Sequence, residues 1–162
     1  MSKVILKLGD DVSTDLIYPG RFMATVLPSE TPQHAFADLP VNQRLRTGEI
    51  PPGSLVVAGK NFGCGSSREQ AASCLKGWGL CLVAKGYARI FLQNAVNLGL
   101  ELIICPEIQA EEGDQLEIAS GEVVNHTTGR RFGITPLPKA RQAIIDAGGL
   151  IPYTRQLLSY RE

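Results

Sequence analysis

Sixteen Lys and Arg are offset by sixteen Asp and Glu in this chain of 162 residues, so it carries no net charge. That absence removes the electrostatic footprint expected of a protein that binds nucleic acid or an anionic membrane surface. Aromatic residues are only 6% of the chain, and they form no aromatic–basic stripe of the kind that stacks on single strands. No apolar run approaches the length of a membrane span. The opening "MSKVILKLGDD" lacks the charged-then-apolar layout of a secretion signal, which makes the cytoplasm the expected compartment. Cysteine is scarce and scattered. Cys64, Cys74, Cys81 and Cys105 contain no Cys-x-x-Cys pair, and the two histidines, His34 and His126, stand far from them in sequence. This argues against a zinc knuckle or a self-contained iron–sulfur site. Cys74, Cys81 and Cys105 lie in apolar runs and read as small core residues.

What is present is ordinary for a globular protein: 44% hydrophobic and 20% charged residues, with length enough for one domain and a proper core. The chain is read as a single domain over residues 1–162, without repeat, low-complexity tract or linker. "KVILKL" reads as a first strand, followed by the loop "GDDVSTDLIYPG". Residues 20–52 hold five prolines and little sustained periodicity, and a loop of that length in a compact domain is usually functional or disordered. "PQHAFADL" inside it has the makings of a short helix. "GSLVVAGK", "LCLVAKG" and "LELIICP" are short apolar runs suited to buried strands. "SSREQAASCLKG" and "YARIFLQNAVNLG" read as the helices between them, the second placing Ile90, Phe91, Ala95 and Leu98 at helical spacing. That alternation predicts parallel βαβ packing. "DQLEIASGEVVNHTTGRRFGI" reads as an antiparallel ribbon with turns at "SGE" and "TTG". "PKARQAIIDAGG" is a helix with proline at its start and glycine at its end. The expected fold is mixed α/β, with a central, partly parallel sheet flanked by helices.

The stretch "GKNFGCGSSREQAA", residues 59–72, carries the chemistry. It is not a P-loop, because Ser66 follows Gly65 and Lys60 lies upstream. It is not a dinucleotide fingerprint, because position 68 is Arg. It holds no Gly-x-Ser-x-Gly elbow, and Cys64 has no histidine nearby in sequence to serve as its base. Gly63 and Gly65 allow a backbone to approach a ligand closely. The helix that follows offers free N–H groups and the positive end of its dipole. Arg68 adds a planar cationic fork suited to a carboxylate. The loop is therefore either an anion cradle containing two hydroxyls or a helix start whose serines only cap it. Ser66 with Glu69, and Ser67 with Gln70, both have capping-box spacing.

Four segments in order, "GDDVSTDLIYPGRF", "GKNFGCGSSREQAA", "GYARIFLQNAVNLGL" and "TPLPKARQAIIDAGGLIPY", resemble the small subunits of 3-isopropylmalate dehydratase. That family is similar to the swivel domain of aconitase, a β/β/α fold. The resemblance covers nearly the whole chain. It implies a hydro-lyase that removes water from a small hydroxy-dicarboxylic acid and returns it at the neighbouring carbon, in leucine biosynthesis. It implies a large-subunit partner carrying a [4Fe–4S] cluster, with no metal bound by this chain. By motif position the resemblance makes Ser66 the proton-abstracting base and Asp15 an acidic residue that orients the proton-handling machinery of the other subunit. Ser67 and Arg68 hold a substrate carboxylate, with Gly65 and Arg21 also expected at the substrate.

The same resemblance makes Phe22, Met23, Ala24 and Thr25 a specificity loop within residues 20–52. Relatives acting on homoaconitate resemble "YLRT" there, with an arginine where this chain has Ala24. An alanine leaves an added carboxylate unpaired, so an apolar-branched substrate such as isopropylmalate is expected. Met23, Val26 and Leu27 either line the pocket for that branch or pack the loop down. His34 is expected as a surface loop residue. Gln70 stands where many relatives have histidine, and Cys64 where aconitases tend to have glutamate. Both leave dimethylmalate or citramalate open as neighbouring substrates.

Overall fold

The structure is a computed structural model that describes residues 1–159. Its centre is one seven-stranded sheet with strand order β4-β3-β2-β1-β5-β6-β7. Strands β1 (Ser2–Lys7), β2 (Leu55–Ala58), β3 (Cys81–Ala84) and β4 (Leu102–Ile104) run parallel. Strands β5 (Gln115–Ala119), β6 (Glu122–Asn125) and β7 (Arg130–Gly133) continue it as an antiparallel ribbon joined to β1 through β5. The expected mixed sheet is therefore found, with its parallel and antiparallel parts meeting at β1.

Every residue of β2 and β3 is buried, because parallel strands covered on both faces read as continuous apolar runs rather than as alternation. Alternate side chains serve two cores. Val56, Ala58, Leu82 and Ala84 face the helices, packing with Ala71, Leu75 and Phe91. Leu55, Val57, Cys81 and Val83 face Ile108, Leu116, Val123 and Phe132. The ribbon thus closes the second face of the parallel sheet.

The helix face is built by α3 (Glu69–Gly77) and α4 (Arg89–Leu98) between the strands, and by α5 (Lys139–Asp146) and α6 (Leu150–Ser159) after the ribbon. Helix α4 ends as expected at Gly99, which is left-handed at φ 74°. Ile90 departs from the expected buried face and is 51% exposed, whereas Phe91 and Ala95 are buried. Two short helices, α1 (Thr14–Ile17) and α2 (Val41–Arg46), lie in segments without a clear period. "PQHAFADL" forms a 3-10 turn over Thr31–His34 rather than a helix. The 20–52 segment is not a loose loop. Ala35, Phe36, Val41 and Leu45 are buried in the helix-side core, so its conformation is set by packing that no short-range period reveals.

Candidate active site

Two loops leave the carboxyl ends of neighbouring parallel strands and are bonded together along their length. Residues 9–15 follow β1, and residues 59–67 follow β2. The Gly59 N–H donates to Gly9 O at 3.0 Å, the Asp11 N–H to Lys60 O at 2.8 Å, the Gly63 N–H to Val12 O at 2.7 Å and the Thr14 N–H to Cys64 O at 2.8 Å. Side chains add to this. Asp10 Oδ1 accepts the Lys60 N–H at 2.7 Å, and Asp11 Oδ1 accepts Asn61 Nδ2 at 2.9 Å. Asp11 and Asn61 are themselves left-handed, at φ 55° and 58°, a conformation that short polar side chains tolerate better than most. The loop that sequence alone reads as a run of Asp, Ser and Thr is thus the brace for the glycine loop.

The two site glycines do different things. Gly63 has φ 87°, and a Cβ there would lie 2.3 Å from Phe91 Cγ. It admits a ring of the chain's own core. Gly65 is exposed, with φ 94° and nothing closer than 3.7 Å to a Cβ, so backbone conformation is what requires glycine there. Beyond it the Ser66 carbonyl accepts two bonds, from Thr14 Oγ1 at 2.9 Å and from the Arg68 N–H at 2.9 Å. The peptide is fixed while the Ser66 and Ser67 residues stay exposed.

Neither serine caps α3. The cap position is Arg68, with no side-chain cap bond, so both capping-box readings are corrected. The chain enters the helix two residues later than the Ser66 spacing suggests and one later than the Ser67 spacing. Among the described residues, the N–H groups of Ser66, Ser67, Glu69 and Gln70 meet no acceptor. That leaves free donors and the positive end of a helix dipole beside two free hydroxyls.

Arg68 and Asp15 are brought together. Arg68 Nη1 donates to Asp15 Oδ1 at 2.7 Å and to Tyr18 O at 3.1 Å. The Arg68 side chain is 15% exposed and that of Asp15 67% exposed. The bond from Arg68, then the Gly20 N–H at 2.8 Å, hold the Asp15 carboxyl below the usual carboxylate range. The Arg68 Nε and Nη2 have no hydrogen-bond partner among the described residues.

Arg21, expected at the substrate, is paired on the surface. Both arms of its fork lie on Asp38, Nη2 to Oδ1 at 2.7 Å and Nη1 to Oδ2 at 3.2 Å, and its guanidinium covers the Phe22 ring at 4.6 Å. Phe22 stacks on His34 at 3.8 Å, which makes His34 a half-buried packing partner rather than a free surface residue. Burial, then Arg46 and Arg21, push the His34 pKa down. Met23, Ala24, Val26 and Leu27 are exposed, so Met23, Val26 and Leu27 do not pack their loop down.

The surface around Ser66 is open. Two depressions of about 380 Å³ lie elsewhere, one beside Met1 and Arg44 and one beside Lys7 and Lys85. Among the described residues no three His, Cys, Asp or Glu side chains converge as metal ligands. Burial pushes the Cys105 thiol up to about 11, the Cys81 thiol up to about 12 and the Cys74 thiol higher still. All three are buried as expected for core residues. A [4Fe–4S] cluster needs converging thiolates, so these residues do not fit one. No helix among the described residues is long and apolar enough to cross a membrane.

A mixed sheet that presents a Gly-x-Gly-Ser-Ser-Arg loop at an uncapped helix start defines a class. Residues 29–105, which include the whole loop, match the family "Aconitase C-terminal domain". Over nearly its full length the chain is also similar to proteins called 3-isopropylmalate dehydratase small subunit. That of Thermodesulfovibrio yellowstonii is 39% identical over 98% of this chain and 95% of that protein. That of Methanosarcina mazei is 43% identical over 96% of each. The isopropylmalate/citramalate isomerase small subunit of Methanocaldococcus jannaschii is 41% identical over 96% of this chain and 94% of that protein. The crystal structure of a 3-isopropylmalate dehydratase from that same organism superposes with a TM-score of 0.86, at 36% identity, covering 98% of this chain and 96% of that one. The chain belongs to the family of 3-isopropylmalate dehydratase small subunits.

Proposed function

We propose that this chain supplies the serine base and the carboxylate-binding groups to an active site shared with a large subunit, and that the assembly interconverts 2-isopropylmalate and 3-isopropylmalate. The observation that carries this reading is Ser66. Its carbonyl is fixed by Thr14 and the Arg68 N–H, while its residue is exposed beside free N–H donors. A serine hydroxyl abstracts a proton only where its alkoxide is stabilised. The helix start and Arg68 supply positive potential from this side. Arg68, with half its fork free, takes one oxygen pair of a carboxylate, and Ser67 and the loop N–H groups complete the hold beside Gly65. Asp15 keeps Arg68 aimed and stays ionised at neutral pH.

The resemblance assigns the other half to the partner's [4Fe–4S] cluster, which supplies the Lewis acid that weakens the C–OH bond when bound. Loss of water from a hydroxy acid needs both halves, and an open surface around Ser66 is what a shared site requires. The exposed Ala24 and Met23 offer no cation to a substrate branch. They suit an isopropyl group better than a carboxylate.

The relative named for both isopropylmalate and citramalate favours a second reading, in which a methyl-branched acid is also accepted. Co-production with the cluster-bearing subunit under anaerobic conditions tests both. Hydration of 2-isopropylmaleate is expected to exceed that of citraconate, dimethylmaleate and homoaconitate. Preference for homoaconitate would overturn the assignment.

A further inference from the structure

The specificity turn is held from beneath at three of its four carbonyls. The hydroxyl of fully buried Tyr18 shares its one proton between Phe22 O at 3.1 Å and Thr25 O at 3.0 Å. Between them, Met23 O accepts Gln70 Nε2 at 3.3 Å. Ala24, the remaining residue, stands exposed at the apex. Tyr18 belongs to the same segment as the turn, and Arg21 and Phe22 tie it to Asp38 and His34. Among the described residues, the bond from Gln70 is the one hydrogen bond between residues 22–25 and α3, beside the packing of Phe22 on the helix-side core. Gln70 is the second residue of that helix and stands four positions after Ser66.

We propose that Gln70 is a positioning residue that fixes the Ala24 turn against the start of α3, and so sets how large a substrate branch fits between that turn and the Ser66–Arg68 loop. The proposal rests on the reading of residues 22–25 as substrate-facing. Gln70 does not touch the reacting atoms. It acts through the Met23 carbonyl. A glutamine is suited to this because its amide donates while carrying no charge that would oppose a substrate carboxylate. Met23 and Thr25 also have their N–H groups bonded within the segment, to Gly20 O at 3.2 Å and to Phe22 O at 2.9 Å. The turn therefore has a defined shape, and what Gln70 adds is its distance from the base.

A merely structural role makes the opposite forecast for one variant. Gln70→Glu keeps the size, loses the donor and places an acid in the first turn of α3, where the dipole favours it. Its melting temperature is expected to hold or rise. In the complex assembled with the cluster-bearing subunit, KM for isopropylmalate is expected to rise about five- to tenfold, as for loss of one ordinary hydrogen bond, with kcat within about twofold. Gln70→Leu removes the donor without adding charge and is expected to show the same split. In both variants the preference for isopropylmalate over citramalate falls, and the amides of residues 23–25 exchange faster in the isolated chain. Unchanged KM, preference and exchange would overturn the proposal, as would parallel losses of kcat and stability with preference intact. Ser66→Ala in the same assembly separates the two failures. If it is inactive while the Gln70 variants behave normally, only the role of Gln70 falls. If Ser66→Ala turns over normally, the reading of the site falls.

Discussion

The two halves of the sheet use polar residues in opposite ways. In the parallel half, the loops after β1 and β2 bond to each other and leave hydroxyls and N–H groups facing outward. In the ribbon half, polar groups close on themselves. Asn125, fully buried, donates to Asp114 Oδ2 at 2.8 Å and to Gln109 O at 3.3 Å, and its Oδ1 accepts the N–H groups of Thr127 and Thr128. On the ribbon's outer side, Arg131 pairs with Glu122 and His126 Nε2 bonds Glu117 Oε2 at 2.7 Å. A satisfied network rigidifies, whereas a braced loop with free donors is prepared for a ligand. On the function proposed above, the parallel half serves the site and the ribbon half supports it, and substitution should separate the two.

The sharpest contrast comes from Ser66→Ala. It removes a group with no described role in holding the fold, so stability should be unchanged while kcat in the assembled complex falls by about 10²–10⁴. Next comes Asn125→Ala, which strands the buried acceptor and donors it now satisfies. It should cost about 1–3 kcal/mol by denaturant unfolding and leave KM alone. A large KM change there would break the division between the halves. Ala24→Arg should shift preference toward a substrate with an added carboxylate by about tenfold, through a charge-assisted bond. No shift in kcat/KM between isopropylmalate and homoaconitate would show that the turn does not face substrate.

The smallest effect expected is one of pH. The His34 pKa lies below its ordinary value of 6.5 in the folded chain, so the unfolded chain takes up its proton first as pH falls. Stability of the isolated chain should therefore decrease as pH drops through 6.5 toward the lower folded value, and be unaffected by this group well above it. The groups around the ring, Arg21, Arg46, Phe22 and Tyr18, with Asp38 on Arg21, offer the imidazolium no acceptor. Unfolding curves from pH 8 to 5 should show the decrease, and His34→Phe should flatten it.

Much of this was legible in the residues. Short apolar runs gave the parallel strands, and alternation with turn pairs gave the ribbon, because burial imposes those patterns locally. The Gly-x-Gly-Ser-Ser-Arg spacing marked the loop. Less visible was how the loop is held. Two overlapping capping boxes cannot both form, and neither does, because the bonds from Thr14 Oγ1 and the Arg68 N–H to the Ser66 carbonyl delay the helix start. The pairing of Arg21 with Asp38 spans seventeen residues. The buried network of Asn125 rests on segments that meet only through the sheet. Helix α2 lies in a proline-rich stretch whose order comes from packing of Val41 and Leu45. Contacts distant in sequence carry no periodic signal, and those are the contacts that position the site.

The most direct measurement follows dehydration of 3-isopropylmalate by this chain alone, by the cluster-bearing subunit alone, and by the two mixed in rising ratio under anaerobic conditions. The account predicts no turnover from either protein by itself and a rate that rises until the partners are matched. Turnover by this chain alone, at a rate comparable with the mixture, would contradict it.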